Sequence, residues 1–148
     1  MNIEEYLKFV YIEENILREE FKLVDYLLLS SKSLYNYLNP LIICNDDFSI
    51  SVQGGLYHYS TPKEKTDVYT ELEIGFPSEK DPIMLDSDDV RGYVPINEIN
   101  ECLTRHGGIN IRKTFNPVLN KKPSLGQFFF KPNHQYLRKN KIKNVLDV

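Results

Sequence analysis

The chain has 148 residues, 41% of them hydrophobic and 26% charged, with a formal net charge of −3. These proportions match ordinary folded domains and exclude a wholly disordered chain and a collagen-like repeat, while 2 cysteines are too few for a disulfide scaffold. The charge is unevenly spread: residues 1–110 hold 9 Lys+Arg against 20 Asp+Glu, and residues 111–148 hold 9 Lys+Arg against one acid, Asp147. The expectation is a single acidic α+β domain over 1–110 and a basic segment over 111–148 that packs on the same domain.

In chain order, Ile3, Leu7, Val10, Glu14, Leu17, Phe21, Val24 and Leu28 alternate steps of four and three, and no Gly or Pro interrupts residues 1–39. This predicts a long N-terminal helix. Its apolar face is widened by Phe9, Ile12, Ile16, Leu23 and Leu27. A stripe of that width suits packing on a sheet, with a symmetric homodimer as the rival way to cover it. Serines at 30, 31 and 33 mark a break before a short second helix, which Pro40 ends.

The period then changes to two. Phe48, Ile50 and Val52 alternate with Ser49, Ser51 and Gln53, a half-buried strand. Asn45-Asp46-Asp47 is turn chemistry, making Leu41–Cys44 its hairpin partner. Gly54-Gly55 allows a turn or bulge, and Leu56–Ser60 is expected to resume as a strand. Thr70, Leu72, Ile74 and Phe76 mark a further strand with Leu72 and Ile74 on its core face. Residues 77–89 read as an acidic loop and Val90–Val94 as a short strand. Pro95 at a first turn, Glu98 near the helix start, an Ile96/Ile99/Leu103 stripe and Gly107-Gly108 after it predict a helix over 95–106. Beyond Ile111 the pattern weakens. Phe128–Phe130 suggest an edge strand and Leu137–Val148 a basic helix or arm. The fold expected is α+β, with an antiparallel sheet of four to six strands and one inserted helix.

Cys102 and His106 stand four apart on one helix face, the spacing of a thiolate–imidazole pair. Cys102 nevertheless lies in the C-terminal half, where the helix dipole opposes a thiolate, so a buried apolar Cys and a capping His is the plainer reading. A zinc site would draw on Cys44, Cys102, His58, His106 and His134, yet no CxxC or HxxxH pair occurs and the ligands would have to converge from separate segments, so no metal or other cofactor is expected. Asp86, Asp88 and Asp89 fail the EF-hand pattern, because Arg91 and Asn97 stand where Gly and Glu are needed. Glu71 and Glu73 share one strand face opposite the core, which suits solvated acids better than an acid–base pair. Neither glycine pair fits a phosphate-binding loop. Tyr57 and Tyr59 would face one way from a strand, with His58 opposite, either as anchors for a partner or as a core pair with satisfied hydroxyls.

The pieces Ser51-Val52-Gln53, Tyr57-His58-Tyr59-Ser60-Thr61-Pro62, Tyr69, Glu73-Ile74-Gly75-Phe76-Pro77, Gly92-Tyr93-Val94-Pro95 and His106-Gly107-Gly108-Ile109 carry a resemblance. Residues 48–109 resemble short proteins of bacteriophages and mobile elements that have no assigned activity. The resemblance therefore brings no catalytic residue, and it implies a small inhibitor of a host defence enzyme.

The function expected is that of a non-enzymatic binding protein. It would offer Tyr57, Tyr59, Glu71, Glu73, Asp86, Asp88 and Asp89 to a basic protein partner, such as a host defence or nucleic-acid-binding protein. The alternative is a small hydrolase or transferase using Cys102 and His106. Strong nucleic-acid binding is not expected, since the acidic body opposes the basic residues Arg138 to Lys143. The absence of a basic start followed by an apolar block, and of any long apolar run, points to a cytoplasmic protein off the membrane.

Overall fold

Asn2 and Glu5 exchange hydrogen bonds at the start of the first helix. The Glu5 N–H donates to Asn2 Oδ1 at 2.9 Å and the Asn2 N–H donates to Glu5 Oε1 at 3.4 Å, a reciprocal cap. The computed structural model describes residues 1–12, 39–85, 89–115 and 120, and α1 is helical over residues 3–12. Ile3, Tyr6, Leu7, Phe9 and Val10 are buried while Glu4, Glu5 and Lys8 are exposed, so this part of the apolar stripe is spent on the chain's own core.

Four antiparallel strands form one sheet in the order β1 (Ile42–Ile43), β2 (Ser49–Gln53), β3 (Glu71–Gly75) and β4 (Val90–Pro95). The class is α+β, as the periodicity predicts. Asp46 makes the first hairpin turn, accepting the Phe48 N–H at 2.9 Å, and Asp47 adopts φ 72°. Phe48, Ile50, Val52, Leu72, Ile74 and Val94 form the sheet's contribution to the core, joined by Ile99, Cys102 and Leu103 of helix α2 (Ile96–Arg105). Helix α2 ends where sequence places its stop. The Gly108 N–H donates to Leu103 O at 2.8 Å and the Gly107 N–H to Thr104 O at 3.1 Å, with both glycines at φ 84°.

Several local expectations are corrected. Leu56–Ser60 is not a strand. The chain turns at Gly54, where a Cβ would stand 2.6 Å from the Tyr69 ring, and at Gly55, with φ 137°. Pro95 closes β4 and precedes the helix instead of sitting inside it. The acidic loop contains a 3₁₀ turn, Pro82–Met84, whose Ile83 and Met84 are buried. A short helix α3 (Ile111–Phe115), unseen in the pattern, starts at Asn110, whose Oδ1 accepts the Lys113 N–H at 2.9 Å. Phe115 packs on Tyr6 and Phe9, and Asn120 donates to Leu41 O at 2.9 Å, so the described part of the C-terminal segment joins the same core. The N-terminal helix beyond residue 12, the short second helix, Asp86, Asp88, Phe128–Phe130, His134 and Arg138 to Lys143 lie outside the described residues.

Candidate functional site

The β3–β4 pairing carries a bulge. Leu72 pairs with Val94 and Ile74 with Arg91, so Glu73 alone faces both Gly92 and Tyr93. Tyr93 takes φ 53°, a costly conformation for a bulky residue, and its N–H leaves the ladder to donate to Tyr59 O at 2.9 Å. Gly92 leaves room for Tyr59, since a Cβ there would lie 2.5 Å from Tyr59 Cβ. The Tyr59 and Tyr93 rings consequently sit 5.8 Å apart at 42°.

Glu73 fastens the loop from the other side. Its Oε2 accepts the Tyr59 N–H at 3.0 Å and its Oε1 lies 3.0 Å from His58 Nδ1. Glu71 accepts the Thr61 hydroxyl at 2.7 Å. The two acids chosen as binding residues thus hold the tyrosine loop on the sheet. Tyr57, Tyr59 and Tyr93 stay 64%, 56% and 45% exposed beside exposed Leu56. Of the alternatives for Tyr57 and Tyr59, the structure gives exposed side chains, displayed by a loop instead of by strand alternation. Lys63 Nζ stands 5.2 Å from the Tyr59 ring centroid, so this ring already carries a cation on its face. Asp89 is exposed at the start of β4. Tyr93 was missed as a candidate, because a bulge leaves no periodic signal.

A second constellation gathers around His106. Its ring stacks on Phe48 with centroids 3.8 Å apart. Nδ1 lies 2.6 Å from Asp46 Oδ2 and Nε2 lies 2.7 Å from Asp81 Oδ2. Asp81, with its side chain 3% exposed, also accepts Arg105 Nη2 at 2.5 Å and the Ile83 N–H at 2.9 Å, both on Oδ1. Burial works against the Asp81 carboxylate, but Arg105, the Ile83 N–H and His106 outweigh it and bring its pKa down to about 2. Burial likewise opposes charge on His106, and its bonds to Asp46 and Asp81 overcome this and raise its pKa.

Cys102 is buried beside this group. Desolvation, the Asp81 charge and a hydrogen bond to Asp81 push its thiol up to about 12. Cys44 is likewise pushed up to about 12, by burial first and then by Asp46 and Asp81. Both imidazole nitrogens face carboxylates, so nothing here arms Cys102 as a nucleophile. His58 belongs to the tyrosine loop and shares no hydrogen bond with this cluster. Asp46 and Asp81 were not anticipated as partners of His106. They stand 60 and 25 residues away in sequence; Asp46 is legible there only as a turn residue, and Asp81 only as part of an acidic loop.

Comparison of the chain with protein-family models, curated proteins and solved structures returns no match. Among the described residues no helix is long and apolar enough to cross a membrane.

Proposed function

We propose that this chain is a non-enzymatic binding protein that takes a basic protein segment on the face formed by Tyr57, Tyr59 and Tyr93. The observation that carries the reading is the bulge at Gly92–Tyr93, which holds a bulky residue at φ 53° and so keeps two exposed tyrosine rings side by side. Such conformations cost about 1–3 kcal/mol and concentrate at functional positions. Tyrosines contribute large contact area with few rotatable bonds, the property that makes them interface anchors.

Charge supports a basic partner. Residues 1–110 carry 20 acids against 9 Lys+Arg, which draws cations and repels polyanions. Lys63 over Tyr59 is the intramolecular counterpart of an Arg or Lys supplied by the partner. The resemblance of residues 48–109 to phage and mobile-element proteins supports a host defence or nucleic-acid-binding protein as that partner, with this chain as its inhibitor.

The test is capture from bacterial lysate on the immobilised chain at low and high salt, run beside the Tyr57→Ser/Tyr59→Ser/Tyr93→Ser variant. The expected result is a basic protein retained at low salt, released at high salt and absent from the variant. Retention of the same species by the variant, retention indifferent to salt, or no capture overturns the proposal.

A further inference from the structure

We infer that Cys102, His106 and Asp81 form a binding site for a thiolate-accepting divalent metal of the zinc class. The thiol sulfur, an imidazole nitrogen and a carboxylate oxygen of these residues all lie within 4.8 Å of one another, contributed by the last turn of α2, by the residue that caps its C-terminus and by the N-cap of the 3₁₀ turn. A mixed sulfur, nitrogen and oxygen set is what Zn²⁺ accepts, whereas Ca²⁺ and Mg²⁺ take oxygen alone. This inference is independent of the binding face and lies on another part of the molecule's chemistry. It also reverses the expectation, drawn from ligand spacing in the sequence, that the chain has no metal site.

The surroundings orient each ligand. Asp46 Oδ2 at 2.6 Å from Nδ1 fixes the His106 ring and leaves Nε2 to point at Asp81. Metal-bound histidines are held in this way by a carboxylate on the remote nitrogen. Arg105 and the Ile83 N–H hold Asp81 by Oδ1, leaving Oδ2 directed at Nε2 at 2.7 Å. Ligand atoms around a tetrahedral Zn²⁺ stand about 3.3–3.7 Å apart for bonds of about 2.0–2.3 Å, so Nε2 and Oδ2 need to separate by well under about 1 Å. Phe48 lies flat against the ring and Cys102 is 1% exposed, which shelters the metal–sulfur bond, and a water molecule would take the fourth position that three protein donors leave open.

Metal entry releases the thiol proton, and any proton on Nε2, to solvent, and the Arg105–Asp81 pair, made through Oδ1, need not break. A second grouping, Asp46, Glu79 and His106, meets the same ring through Nδ1. It lacks a sulfur ligand and is exposed at Asp46 and Glu79, so in this assignment Asp46 supports the ring while the metal takes Nε2.

The experiment uses the full chain without an affinity tag, treated with chelator and titrated with Co²⁺ as a spectroscopic probe. The expected result is one equivalent bound, with a thiolate-to-cobalt charge-transfer band and the visible bands of tetrahedral Co²⁺, both erased by one equivalent of Zn²⁺. Cys102→Ser is expected to lose the charge-transfer band, Cys44→Ser to keep it, and Asp46→Asn to keep it with affinity about 10–100-fold weaker. Far-ultraviolet circular dichroism checks that each variant is folded, and the spectrum of the unaltered chain decides the matter without any variant. Co²⁺ binding with no charge-transfer band, no binding, or a band that survives Cys102→Ser overturns the assignment.

Discussion

The His106 imidazole lies flat on the Phe48 ring, 3.8 Å between centroids and 8° between planes, while its two nitrogens reach Asp46 and Asp81. The ring is thereby supported on one face by an aromatic ring and gripped at its edge by two carboxylates. Substituting Phe48, which is 2% exposed, removes both core volume and this support. Phe48→Ala is expected to cost about 3–5 kcal/mol in urea denaturation, and Phe48→Leu distinctly less. Phe48→Leu, which keeps the ring covered but removes the aromatic face, is expected to lower the His106 pKa, read from its proton resonance during an NMR titration. An unchanged titration in Phe48→Leu contradicts the role given to the stack.

The pH dependence of stability follows from the same cluster in chelator-treated protein. His106 is raised above its ordinary value of about 6.5, so its contribution is complete below that pH and is lost as pH rises through the raised value. Asp81 and Asp46 are lowered, Asp81 to about 2, so their contribution is complete above the ordinary value of about 3.9 and is lost as pH falls towards the folded value. Thermal melting from pH 2 to 9 should therefore show greatest stability between about pH 4 and 6.5. His106→Gln should flatten the decline on the alkaline side. A decline as steep in His106→Gln as in the parent chain assigns that slope to other groups.

Both thiols should be silent in the folded protein. Cys44 and Cys102 are buried and pushed up to about 12, so almost no thiolate exists near neutrality. Iodoacetamide at pH 7.5 is expected to label neither until denaturant is added, followed by mass spectrometry. Rapid stoichiometric labelling of Cys102 in the native state restores the thiol-enzyme alternative.

Gly92 and Tyr59 should be coupled. A Cβ at position 92 would stand 2.5 Å from Tyr59 Cβ, so Gly92→Ala is expected to destabilise by about 1–3 kcal/mol through overpacking. Tyr59→Gly removes the obstructing atom and should relieve most of that cost. A double-mutant cycle is the measurement, and additivity of the two changes refutes the contact.

Where a strand or helix buries one side, the residues themselves declare it. Leu72 and Ile74 alternate with Glu71 and Glu73, and β3 forms with the first pair in the core. Helix α2 was readable from its stripe and its two closing glycines, because its stop depends on residues adjacent in the chain. The tyrosine loop was misread because Leu56–Ser60 has strand-like composition. The choice against a strand is made by Tyr69 packing over Gly54 and by Glu73 holding Tyr59, contacts supplied by residues that come later. The His106 cluster is half legible for the same reason: Cys102 lies in α2 and His106 caps its end, but Asp46 and Asp81 arrive from a hairpin turn and a 3₁₀ cap that only tertiary packing brings near.

The sequence distances inside that cluster bear on how the molecule reaches its final state. Asp46 and His106 are 60 residues apart, and Asp81 is 25 from His106, so one bond requires the first hairpin to meet the end of α2 and the other requires the 3₁₀ turn to meet it. Closing such long loops is entropically unfavourable until other contacts have brought the segments together. The carboxylate-bound imidazole resonance is therefore a reporter of long-range docking, distinct from the signals of helix and sheet formation.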